Sequence, residues 1–176
     1  NTKRASLLFG QSILVAVFIT IVVTFVGLIS IESILFILKS SYEIINYASD
    51  YMTVIFSGSI VIFLLVTINS SLVSRGDTKS YRNVLIVSFV LNIFLNPLFI
   101  YGFYIIPAMG ISGIALATII SEMIGLIYII YKINQTEIKN YISFECFSPK
   151  KDLIIDILKQ AVPSGLSMGL VGFGVF

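Results

Sequence analysis

The chain has 176 residues, of which 57% are hydrophobic and 11% charged, with 11 Lys and Arg against 9 Asp and Glu and a formal charge of +2. A soluble domain carries about a quarter charged residues, so a mean hydropathy of +1.03 excludes an ordinary water-soluble protein and makes lipid the solvent. The small charge, with no separate lysine-rich block, argues against a nucleic-acid partner, and one cysteine (Cys146) with no histidine argues against an internal disulfide and the common zinc and haem sites.

A bilayer core about 30 Å thick is crossed by about 20 apolar residues of helix. The apolar runs predict an all-α, polytopic transmembrane bundle with spans over 7–38, 44–73, 81–106 and 110–132, and a fifth, truncated span over 158–176. The interval 133–157 reads as a loop. The chain opens on "NTKRASLLFG", without an initiator Met, and stops inside "SGLSMGLVGFGVF", so it is expected to be part of a longer protein. The first apolar run is far too long for the core of a cleaved export signal.

Basic residues set the orientation. Lys3 and Arg4 precede the first span, Arg75, Lys79 and Arg82 lie between the second and third, and Lys132, Lys139, Lys150, Lys151 and Lys159 lie between the fourth and fifth; only Lys39 lies on the other side. The excess predicts that residues 75–82 and the loop bearing Cys146 are cytoplasmic in a multi-pass protein of the cell membrane. Tyr42, Tyr47, Tyr51, Tyr101, Tyr104 and Tyr131 suit the two aromatic belts at the membrane surfaces.

The spans are written for contact with one another. In the first, Ala16, Thr20 and Thr24 recur every four residues; in the fourth, Gly113, Ala117, Ser121 and Gly125 do the same, leaving a face where another helix approaches closely. Pro97 in the third span removes a backbone donor and is expected to kink it. Lys150 to Gln160 alternates charge with Leu153, Ile154, Ile157 and Leu158, which fits either a short helix on the inner membrane surface or a solvated start to the last span.

Polar groups at membrane depth are costly and face the protein interior. Ser88, Asn92 and Asn96 form an i, i+4, i+8 stripe on the third span, with the two amides about 6 Å apart along the axis. That arrangement suits a small cation, a water chain, or hydrogen bonds between helices worth under about 2 kcal/mol each. On the fourth span, Glu122 stands about midway, one turn after Thr118. Glu32 and Asp50 lie near the outer interface, and Asn69, Ser70 and Ser71 near the inner end of the second span are expected to satisfy backbone or water. No enzyme pattern stands out: "SRGDTKS" lacks the spacing of a phosphate-binding loop, and the serines of "VPSGLSMG" have no histidine base.

The segment "SSLVSRGDTKSYRNVLIVSFVLNIFLNPLFIYGF", followed by "MGISGIALATIISE", resembles the middle of the multidrug and toxic compound extrusion (MATE) transporters. The resemblance rests on the turn at Arg75, Gly76, Asp77 and Lys79, on the motif of Asn92, Asn96 and Pro97, and on Gly110, Gly113, Ala115, Ala117 and Thr118. It implies part of the N-terminal six-helix lobe of a twelve-helix protein, from the third helix to the start of the seventh, working by alternating access. The expected partners are the lipid bilayer, small amphiphilic or cationic substrates and the remaining helices of the same chain. The expected activity is antiport of drugs or organic cations against Na+ or H+ as coupling ion, with no further cofactor.

The family's first-lobe cation site implies cation-binding roles for Asn92, for Asn96 where the family carries an aspartate, and for Thr118. Asparagine at 96 removes an ionisable group, and Glu122 is a possible source of the proton- or cation-coupling charge. The alternatives are a related flippase or exporter of lipid-linked saccharides, expected to show more cations within its spans, and a membrane assembly protein that transports nothing.

Overall fold

In lipid an unpartnered backbone N–H or C=O costs several kcal/mol, and a helix satisfies these groups within one segment. The apolar runs accordingly form helices in the computed structural model, which describes residues 2–37, 42–141 and 143–174. Lys39 and the side chain of Tyr42 lie outside the described set. The helices are α1 (Thr2–Ile37), α2 (Tyr42–Val73), α3 (Lys79–Tyr101), α4 (Ile111–Ile133) and α5 (Lys151–Gly174), with short 3-10 turns at Glu137–Tyr141 and Phe144–Phe147. No strand occurs among the described residues. Helices α1 to α4 are each long and apolar enough to cross a membrane.

The boundaries fall within two residues of those the apolar runs suggest except at three places. Helix α1 starts at Thr2 rather than 7, because nothing in Lys3, Arg4, Ala5 and Ser6 breaks a helix. Helix α3 ends at Tyr101 rather than 106: Gly102 takes φ 74°, and Phe103 and Ile106 exchange backbone hydrogen bonds of 3.0 and 2.9 Å in a tight turn. The interval 133–157 is not one loop, since α5 begins at Lys151, two residues after Pro149. The charged segment through Gln160 is the first part of α5, which is continuous from Lys151 through Pro163; among the described residues it forms no separate surface helix.

The chain divides into two compact units, Ala16–Thr136 and a smaller one made of Asn1–Val15 with Glu137–Phe176. Within the larger, α4 packs against both α2 and α3. Its small-residue stripe is the contact face: Gly113, Ala117, Ser121 and Gly125 are all buried. A Cβ on Gly113 would come within 2.7 Å of the Phe99 carbonyl oxygen, and one on Gly125 within 2.5 Å of Val84 Cγ1. Only glycine permits α3 and α4 this spacing. The stripe on α1 is also turned inward: Ala16 and Thr20 are buried, and Thr24 Oγ1 donates to the Phe56 carbonyl of α2 at 3.0 Å and lies 2.8 Å from Ser59 Oγ. Lipid-compatible side chains such as Phe18, Phe25, Phe89 and Phe94 cover the exposed faces.

Candidate functional site

The turn that starts α3 is locally determined. Gly76 adopts φ 88°, and Asp77 then caps the helix, its Oδ1 accepting the Ser80 N–H at 3.0 Å and its Oδ2 the Ser80 hydroxyl at 2.6 Å. The Ser80 hydroxyl, helped by the Ser80 N–H, holds the Asp77 carboxyl below the usual carboxylate range. The Gly-Asp-x-Lys segment is thus a capped turn between two spans.

From that start, α3 carries Ser88, Asn92 and Asn96 along one side, and α4 runs antiparallel to it. Phe99 meets Gly113, and Val84 meets Gly125, which fixes the register. Between these ends, Asn92 Nδ2 donates to its own helix at the Ser88 carbonyl (2.8 Å) and across to Ser121 Oγ (3.3 Å). Ser121 Oγ donates onward to the Ala117 carbonyl at 2.9 Å, and Ser88 Oγ makes a long 3.5 Å bond to the Ser121 carbonyl. The structure therefore brings Ser88, Asn92 and Ser121 together in one seam. Ser121, read from its spacing as a packing residue, is the hydroxyl that meets the amide; its signal was a hydroxyl inside a Gly and Ala stripe.

Asn96 is one turn further along α3, which by the same register sets it against the stretch of α4 from Gly113 to Ala117. Its Oδ1 is buried and has no hydrogen-bond partner among the described residues. Thr118 is half-buried and spends its hydroxyl proton on the Ile114 carbonyl at 3.1 Å, so its lone pairs stay open as acceptors. Glu122 is also half-buried. Among the described residues no hydrogen bond or ion pair joins Asn96, Thr118 and Glu122 to one another. Neutral amide and hydroxyl oxygens are a kind of donor that hard cations accept.

Asn69 Oδ1 on α2 is buried and has no protein partner among the described residues, while Ser70 Oγ bonds its own helix at Val66 (2.8 Å), as expected. Cys146, in the loop before α5, is only 2% exposed. Glu32 and Asp50 are exposed. No group of three or more metal-ligating side chains occurs among the described residues.

Long apolar helices, glycine-mediated contacts and a polar seam between α3 and α4 define a multi-pass, all-helical membrane protein. The MatE family pattern matches residues 1–98, more than half of the chain. The chain belongs to this family, the MATE transporters. It is 29% identical to the probable multidrug resistance protein NorM of Thermotoga maritima, across 99% of this chain and 38% of that protein. To the probable multidrug resistance protein YoeA of Bacillus subtilis it is 26% identical, across 97% of this chain and 38% of that protein. The FAD transporter of Shewanella oneidensis is 28% identical across 72% of this chain and 28% of its own length. The chain thus spans 38% of the length of the first two relatives.

The fold matches solved structures of the same architecture. A MATE crystal structure in the bent conformation superposes with a TM-score of 0.77 at 24% identity, across 98% of this chain and 43% of that one. An inward-facing MATE transporter gives 0.76 at 24% identity, across 94% of this chain and 42% of that one.

Proposed function

We propose that the complete protein exports drugs or organic cations by alternating access, in exchange for Na+ or H+, and that Asn96, Thr118 and Asn92 supply neutral oxygens to the coupling cation. The observation that carries this reading is the buried, unpartnered Oδ1 of Asn96. A buried acceptor left without a partner costs about 1–3 kcal/mol, and a bound cation removes that cost. Asn92 takes a mixed part in this scheme: its nitrogen ties α3 to α4 through Ser121, leaving its oxygen for the ion. Because an amide does not titrate, proton coupling falls to Glu122, half a helix length from either end of α4. The same reading puts residues 75–82 and the Cys146 segment on the cytoplasmic side of the cell membrane.

The substrate class follows from the distribution of charge. Lys and Arg in the described parts of α1 to α4 stand only near helix ends, at Lys3, Arg4, Lys79, Arg82 and Lys132. That favours a cationic or neutral amphiphile over an anionic one such as the FAD carried by the Shewanella relative, or a lipid-linked saccharide with its phosphates. The test is efflux of a fluorescent cationic dye from cells making the complete protein, with a Na+ or a proton gradient imposed separately. Gradient-driven efflux that Asn96→Leu abolishes supports the proposal; dye retention under both gradients leaves a protein whose amides serve assembly alone.

A further inference from the structure

In the smaller unit, one side chain holds the connection that enters α5 against the first turns of α1. Gln11 is 0% exposed. Its Nε2 donates to the carbonyls of Cys146 and Ser148, both at 2.8 Å, and its Oε1 accepts the Lys150 N–H at 2.9 Å. Both amide hydrogens and the oxygen are therefore engaged, and all three partners are backbone atoms of alternate residues, 146, 148 and 150. Pro149 stands between them and has no N–H to leave unmade. Lys150 precedes the first turn of α5, where an N–H has no partner within the helix; Gln11 provides it.

The seat around this amide is built for close approach. A Cβ on Gly10 would collide with the carbonyl group and Cβ of Cys146, so only glycine lets the segment lie down on α1. Ser6, another turn back, is fully buried, and its hydroxyl is 4.0 Å from Cys146 Sγ. Ser6, Gly10 and Gln11 thus line one side of α1 and receive one short length of chain. Every direct bond of the clamp is between neutral groups. Beyond the clamp α5 has weak points of its own: Pro163 lies inside the helix and removes the bond to the Lys159 carbonyl, and Gly165, in open space, is a poor helix former.

We infer that Gln11 is a positioning residue for transport: by clamping residues 146–150 to the first turns of α1 it makes the entry of α5 move with those turns, so that bending during the cycle falls farther along α5, at Pro163 and Gly165. The link to transport rests on the function proposed above; the clamp itself does not.

The experiment uses the complete protein in membrane vesicles. Alkylation of Cys146 by N-ethylmaleimide is followed by mass spectrometry on the peptide that contains it, alongside dye binding and dye efflux. In the unaltered protein Cys146 should react slowly, at one rate with and without an imposed gradient. Gln11→Leu, which removes all three bonds, should raise that rate by about tenfold or more and slow efflux while dye affinity is kept. Gly10→Ala should do the same by displacing the segment. Unchanged labelling in Gln11→Leu, faster labelling with undiminished efflux, or a gradient-dependent rate in the unaltered protein would each overturn the inference. If Gln11→Leu does not accumulate, the gradient comparison on the unaltered protein decides. Absence of efflux in the unaltered protein refutes the transport reading, while labelling still reports on the clamp.

Discussion

Asn92 of α3 and Ser121 of α4 are joined by a 3.3 Å hydrogen bond between the amide nitrogen and the hydroxyl oxygen, in the middle of two helices whose glycines have already brought the backbones together. The close approach makes the bond reachable, and the bond fixes which turn of α3 lies against which turn of α4. Ser121→Ala should therefore destabilise the protein by about 1 kcal/mol, and Asn92→Leu by a similar amount. Because the two changes break the same contact, their effects should sum to less than additive in a double-mutant cycle. Thermal unfolding of the four proteins in detergent measures this; full additivity would show the bond contributes nothing.

Asn96 gives the opposite sign. Its oxygen is buried without a partner, so Asn96→Leu should leave stability unchanged or raise it by up to about 3 kcal/mol in ion-free buffer. The same change should remove the upward shift in melting temperature that Na+, compared with choline, is expected to cause in the unaltered protein. A Na+-induced shift that survives in Asn96→Leu would move the cation elsewhere.

The α3–α4 spacing has its own test. At Gly113 the atom that a new Cβ would meet, 2.7 Å away, belongs to the Phe99 backbone and cannot rotate aside. Gly113→Ala should cost about 1–3 kcal/mol, read as a lowered melting temperature. At Gly110, where a Cβ meets nothing, the cost comes from the backbone instead: φ 58° with ψ −132° lies outside the left-handed helical region and suits glycine alone, so Gly110→Ala should also lower the melting temperature. An unchanged melting temperature in Gly110→Ala would refute the backbone explanation.

How far these features were legible depends on the range over which their causes act. The spans of α1 to α4 can be seen in the sequence because lipid demands long apolar helices, and the stripes at Ala16 and Gly113 show because helical spacing is local. The end of α3 was hidden because "FYII" after Gly102 continues the apolar run; hydropathy does not register a positive φ. The start of α5 was legible in part: the charges of Lys151, Asp152 and Asp156 hid it from the apolar run, which begins at 158, but the helical spacing of Leu153, Ile154, Ile157 and Leu158 allows a solvated start to the last span, and that is what α5 has. The Gln11 clamp was invisible for a different reason: its bonds span 135 to 139 positions, and no spacing rule connects a lone glutamine with three backbone atoms so far away.

Asp77 carries the pH dependence that can be assigned outside the spans. Its carboxyl is held below the ordinary range by the Ser80 hydroxyl first and the Ser80 N–H second. A group whose folded pKa is depressed stabilises the fold above its unfolded pKa and loses that contribution as pH falls through the folded value. The cap is thus fully present at neutral pH and lost only in acid, below the usual carboxylate range. Asp77→Ala should cost about 1 kcal/mol at pH 7, and the difference from the unaltered protein should shrink as the medium is acidified past that range. A difference that stays constant into acid would mean that the charge of Asp77 plays no part in the cap.

The orientation of the chain can be tested at two positions of one short turn. Phe144 is 98% exposed, whereas Cys146, two residues on, is 2% exposed. A membrane-impermeant thiol reagent therefore says little about sidedness through Cys146, because burial protects that thiol from either side. Phe144→Cys in a Cys146→Ser background places a thiol in the open on the same segment, and Ser is close enough in volume to leave the seat on Ser6 and Gly10 intact. With Lys139, Lys150 and Lys151 flanking it, the segment should be cytoplasmic. The new thiol should therefore react in inside-out vesicles and stay unlabelled in intact cells. Rapid labelling in intact cells would reverse the direction of every span.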